Sequence, residues 1–161
     1  MNLILEKTSQ VRYFTNIQEV LDAAGIDARQ YDWFVSDIDV NYTPEGFSLG
    51  DQWMTGEQLS HLVRDNDLQF IWAVFSAVPI GHRPNVVNAP YCEGNPDYWN
   101  GADPGPQLDG AVFEIACWDS SATILIGLSE HSQRAFVSKY PDARSLADAI
   151  RTKLAPHVGG C

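Results

Sequence analysis

The sequence predicts an α+β domain with a mostly antiparallel or mixed sheet of about five strands and helices packed on it. Three observations carry that expectation. Runs rich in aromatic and β-branched residues recur along the chain, at 31–42, 69–78, 111–118 and 122–129. Segments with capping residues and an apolar stripe interleave with these runs early and gather at the end. No Gly-rich strand-to-helix turn of a doubly wound parallel sheet is present. The 161 residues, 45% of them hydrophobic, suit a single domain spanning 1–161 with a core of its own.

The elements follow in order. "NLILEK" reads as a short strand that "VRYF" continues or pairs with. Thr15 reads as an N-cap and Gln18 completes a capping box. Ile17, Val20, Leu21 and Ala24 form an apolar stripe, and Gly25 ends a helix over 16–24. In "YDWFVSDIDVNY" Tyr31, Trp33 and Val35 alternate with Phe34, Ile38 and Val40, which is a strand pattern. "TPEGFSLGDQW" reads as loop. Thr55 with Gln58 repeats the capping box, and Leu59, Leu62 and Val63 line a second helix over 56–64, with His61 at the stripe's margin.

Gln69–Val78 is apolar on both faces, with Ile71, Ala73 and Phe75 on one and Phe70, Trp72 and Val74 on the other. It predicts a central strand ended by Pro79. Residues 80–110 hold five Pro and five Gly without periodicity, yet include Tyr91, Tyr98 and Trp99; this predicts an ordered flap. "AVFEIACW" and "ATILIGLS" flank Asp119–Ser121 as a hairpin. Two helices close the chain, at "SEHSQRAFVSKYP" and "DARSLADAIRTKLAPH". Ser129 and Ser145 are their caps, and Pro141 breaks between them.

Composition narrows the function. Twenty-one Asp and Glu against ten Lys and Arg give a formal net charge of −11. Phosphate binding is built on Lys and Arg, so this field disfavours nucleic acid and anionic membranes; it attracts a basic partner or simply keeps the chain soluble. Cys92, Cys117 and Cys161 are odd in number with no C-x-x-C spacing, which argues against a disulfide framework or a zinc site. The first residues show no signal-peptide pattern and no apolar run reaches spanning length, so a cytoplasmic setting is expected.

Candidate chemistry is sparse. At i and i+2 of a strand, Asp37 and Asp39 share a face with Trp33 and Val35. A hard cation would accept that pair if Glu114 joined it; otherwise the aspartates form the wet end of a half-buried face. Ser129 and His131 lack a nucleophile elbow, and Cys92 with His82 lacks any family signature. The four His residues have no metal spacing, no phosphate loop is present, and no cofactor is implied. In "YCEGNPDYWNG", Glu93 and Asp97 stand beside Tyr91, Tyr98 and Trp99. Such a set anchors a basic protein surface, or Tyr98 and Trp99 fold back as a lid.

Trp33–Ile38 and Phe136–Leu146 match a W-x-x-S-D-I strand and an F-x-x-x-[FY]-P-[DE]-A-x-[DS]-L element. In these segments the chain resembles a family of small, acidic, uncharacterised bacterial proteins. In composition it is similar to the immunity proteins of bacterial toxin systems. That resemblance implies a non-enzymatic protein that neutralises a basic toxin domain. The acidic and aromatic pattern, and not the resemblance, nominates Asp37, Asp39, Glu93, Asp97, Tyr98 and Trp99 as contact residues. The alternatives are a metal-dependent enzyme using Asp37, Asp39 and Glu114, or a small-ligand protein with a pocket under residues 80–110.

Overall fold

A computed structural model describes residues 1–154. Seven antiparallel strands form one sheet in the order β3-β2-β4-β5-β6-β1-β7. They are β1 (Leu3–Glu6), β2 (Tyr31–Val40), β3 (Gln52–Thr55), β4 (Phe70–Pro79), β5 (Phe113–Trp118), β6 (Ala122–Ile126) and β7 (Arg144–Ser145). The helices are α1 (Ile17–Ala24), α2 (Gly56–Asp65), α3 (Glu130–Lys139) and α4 (Leu146–Leu154). The α+β expectation holds, with a larger sheet than the five strands expected. The two extra strands lie at its edges.

Both faces of the sheet are covered, which explains the continuous apolar runs of β4, β5 and β6. On one face Leu3, Leu5, Trp33, Val35, Phe75, Ile115 and Leu125 meet Ile17, Val20 and Leu21 of α1, Leu59 and Val63 of α2, and Phe136 of α3. On the other, Ile4, Ile124 and Ile126 meet Leu146, Ala149 and Ile150 of α4. Val74 and Ala116 meet Cys92 and Tyr98 of the Pro/Gly segment. Further along that face Phe34 and Val78 meet Leu108 and the half-exposed Val86. The long loop is thus an ordered flap that takes the place of a helical layer.

Several local expectations change. "VRYF" forms turns and bends instead of a strand. The α1 cap is Asn16, whose side chain accepts from the Glu19 amide at 3.2 Å; Thr15 takes a left-handed φ of 66° and its hydroxyl bonds the Phe70 carbonyl at 2.5 Å. The capping box at Thr55 and Gln58 forms in full. "QW", expected in a loop, begins β3. Phe70 does not share a face with Trp72 and Val74; it stacks edge-on with Phe75 at 4.9 Å in the helical-face core. Ser129 caps α3, and Ser145 accepts from the Asp148 amide ahead of α4. The stretch after Leu154, which includes His157 and Cys161, lies outside the described residues.

Candidate functional site

A bulge in β2 falls on Asp37 and breaks its pairing with Asp39. Ser36 pairs with Val74 and Asp39 with Trp72, so β2 carries three steps where β4 carries two. Asp37 is the extra residue, in the left-handed region at φ 54°, a conformation Asp tolerates better than most. The extra residue flips the alternation. Asp39, exposed, therefore falls on the face of its partner Trp72, away from Trp33 and Val35, and the expected shared face of Asp37 and Asp39 with those residues is overturned.

Asp37 is also spoken for. Its Oδ2 accepts from the amides of Cys92 and Glu93, both at 2.7 Å, and its own amide donates to Asp51 Oδ1 at 3.1 Å. It pins the middle of the ordered flap to the sheet. Glu114 pins its C-terminal end: fully buried, it accepts from Ser76 Oγ at 2.8 Å, the Gln107 amide at 2.8 Å and the Leu108 amide at 2.9 Å. Burial raises its carboxyl above the ordinary value more than these three donors lower it. A third pin is Asp32, which accepts from the Gly81 amide and two nitrogens of Arg83. That guanidinium holds the Asp32 carboxyl below its usual range. So the three strand carboxylates have separate backbone partners. Among the described residues, no group of three or more His, Cys, Asp or Glu converges on a place for a metal ion.

The proposed thiol and base do not meet as a catalytic pair. Cys92 is fully buried with its Sγ on the Cys117 carbonyl, and burial pushes its thiol well up; His82 is exposed and bonds the Ile80 carbonyl. The two buried cysteines face opposite sides of the sheet, Cys117 in the helical-face core and Cys92 under the flap.

What remains exposed is aromatic and acidic. Trp118, half-buried near the β5–β6 turn, is a hub: Trp99 stacks edge-on to it at 4.7 Å, Trp72 at 5.0 Å and Tyr98 at 6.3 Å. Tyr98 is buried and bonded to Gln107 Nε2, so of the expected contact residues it serves as the flap's anchor and offers no surface. Trp99 is half-buried under Lys153, whose Nζ lies 4.6 Å above its ring. Glu93, Asp97 and Asp39 are exposed, and Asp39 flanks Trp72 across the β2–β4 pairing. Asp37, Asp51 and Glu93 gather at the bulge through the bonds described above. The half-buried Trp72 and Trp118 belong to this face and were not singled out from sequence, because each reads as a strand residue in an apolar run.

The charge distribution sharpens the picture. Residues 30–63 contain six Asp or Glu and no Lys or Arg; residues 84–133 contain seven and none. The rest of the chain holds eight acids against ten bases. The fold brings the two base-free segments together, since β2 and β3 come from the first and β5, β6 and the flap after Arg83 from the second. Comparison with protein-family models, with curated proteins and with solved structures found no match for this chain.

Proposed function

We propose that the protein works by binding a basic protein partner through the acidic, tryptophan-bearing face, as an immunity protein neutralises a basic toxin domain. The observation that carries this reading is the meeting of two base-free, acid-rich segments around Trp72, Trp99 and Trp118. Trp is enriched at binding hot spots, and carboxylates around it that form no ion pair among the described residues steer a cationic partner into place. Asp37 and Glu114, two of the three carboxylates that could have held a metal, hold the flap in place, while the third, Asp39, stays exposed with Glu93 and Asp97 and is available for recognition.

Co-expression with the product of the neighbouring gene, followed by affinity capture, tests this. A basic partner should co-purify. Asp39→Lys with Glu93→Lys should weaken its capture by more than about tenfold, since like charge now faces the partner. Asp22→Lys, on α1 across the sheet, should leave capture unchanged. Absence of a basic partner, or equal effects of all three substitutions, would overturn the reading.

A further inference from the structure

The base-free segment 30–63 also builds a groove beside an open sheet edge. Among the described residues β3 ends the sheet and pairs with β2 alone. In that pair Trp53 stands opposite Phe34 and Thr55 opposite Asp32. The Thr55 amide donates to Gln58 Oε1 at 2.8 Å rather than to β2, so the Thr55 pair is of the non-hydrogen-bonded kind, and Trp53, two residues back, is of the same kind. The backbone N–H and C=O of Trp53 therefore point outward from the edge.

Along that edge runs a groove of about 610 Å³. The 44–47 turn walls it on one side and Gln58, His61, Leu62 and Asp65 of α2 on the other, residues that share a helical stripe. Phe47, Met54 and Leu62 give it a partly apolar floor, Trp53 borders it at the sheet edge, and Glu45, Glu57 and Asp65, all exposed, rim it. His61 lies between Glu57 at 3.8 Å and Asp65 at 3.4 Å, while Arg64 is drawn to Asp65 at 3.8 Å. Over the Trp53 ring, at 5.4 Å, lies the Arg83 guanidinium, its charge matched by Asp32.

We propose that this edge takes up an extended segment of the basic partner as an added strand, with its Arg or Lys side chains set against Glu45, Glu57 and Asp65. The inference rests on the binding function above and adds a second point of attachment. Exposed strand edges pair with other chains; β3 is short, at four residues, but it carries no Lys or Pro, and Trp53 offers its N–H and C=O outward. The charge of the rim chooses the occupant. A second copy of this chain would bring the same acids against themselves, whereas a cationic strand would neutralise them.

The test uses a nine-residue synthetic peptide alternating Arg and Val, added to the full chain and followed by NMR. The Trp53 amide should shift and gain protection from exchange. N-methylating the peptide at every second residue on its hydrogen-bonding edge should abolish that protection. The double substitution Glu57→Gln, Asp65→Asn should weaken the peptide about tenfold, and a Glu–Val peptide should not bind. No binding, binding indifferent to N-methylation, or shifts confined to Trp72, Trp99 and Trp118 would overturn the inference. The two ideas fail separately. Partner capture that survives Glu57→Gln, Asp65→Asn but is lost in Asp39→Lys, Glu93→Lys removes the added strand and leaves the binding function standing.

Discussion

Glu114 is a carboxylate whose removal would orphan a backbone amide. Its Oε1 accepts from Ser76 Oγ and the Leu108 amide, and its Oε2 from the Gln107 amide. In Glu114→Gln the side-chain NH2 must face one of those amides whichever way it is turned. A protonated carboxylic acid, by contrast, can donate to the Ser76 hydroxyl and still accept from both amides. The substitution should therefore cost about 1–3 kcal/mol. Its pH dependence has a definite sign. Burial raises the folded carboxyl above its unfolded value of 4.5, so the folded protein holds this proton more tightly. The stability contributed is fully present below the unfolded value and is lost as pH rises through the folded one. Urea denaturation from pH 4.5 upward should show the gap between wild type and Glu114→Gln widest at the acid end and narrowing as pH rises. A gap that widens with pH would mean the carboxylate is favoured in place. Glu6, lowered by Lys153 and Arg144 against its burial, and Asp32, lowered chiefly by Arg83, act in the opposite sense and weaken the fold as pH falls. The charge in mid-strand was legible in "AVFEIACW". Its purpose was not, because backbone amides of a Pro/Gly segment leave no side-chain signature. Asp37 was opaque for the same reason, and also because an alternating pattern does not register an inserted residue.

Among the elements, those legible in the sequence were the ones whose local preference and burial agree. The Thr55 capping box, the Gly25 stop and the doubly apolar β4 needed no tertiary context. β3 and β7 are four and two residues of mixed composition and become strands only by pairing with β2 and β1. At α1 the sequence fits two frames, Thr15 with Gln18 and Asn16 with Glu19, and the Thr15 bond to β4 decides between them. The β5–β6 turn was legible as a turn and carries strain that composition did not show. Asp119 and Ser120 both take positive φ, 47° and 51°, and the Ser121 amide closes on the Trp118 carbonyl at 2.9 Å. This is the mirror-image turn that matches strand twist and favours Asn-Gly or Asp-Gly. Ser120→Gly should stabilise the protein by about 0.5–1 kcal/mol, as relief of left-handed strain outweighs the added freedom of the unfolded chain. Thermal unfolding checks it, with Ser120→Ala as the control that should bring no gain. Because the turn supports Trp118, the stabilised variant should also bind the proposed basic partner at least as tightly.

At the scale of the whole molecule the fold separates charge. Outside the two base-free segments acids and bases nearly balance, and most bases there are paired, as Arg12 is with Asp67, Arg29 with Asp27 and Arg151 with Asp148. Inside those segments Asp37, Asp39, Asp51 and Glu93 collect near the β2 bulge with no cation in either stretch. Like charges held together destabilise the compact state, so this arrangement should lower stability. Salt reveals the cost. Raising ionic strength from about 0.01 M to about 0.15 M shortens the screening length from about 30 Å to about 8 Å, which quiets repulsion across the acidic face. The melting temperature should rise over that range. Asp39→Lys and Glu93→Lys should each raise it further at low salt, and their advantage should shrink as salt is added. The same two substitutions are those expected to weaken partner capture, so the protein would become more stable as it loses its function. A melting temperature that is flat or falls with salt, or variants that lose stability at low salt, would show that these carboxylates do not repel one another and that the face was not shaped at the fold's expense.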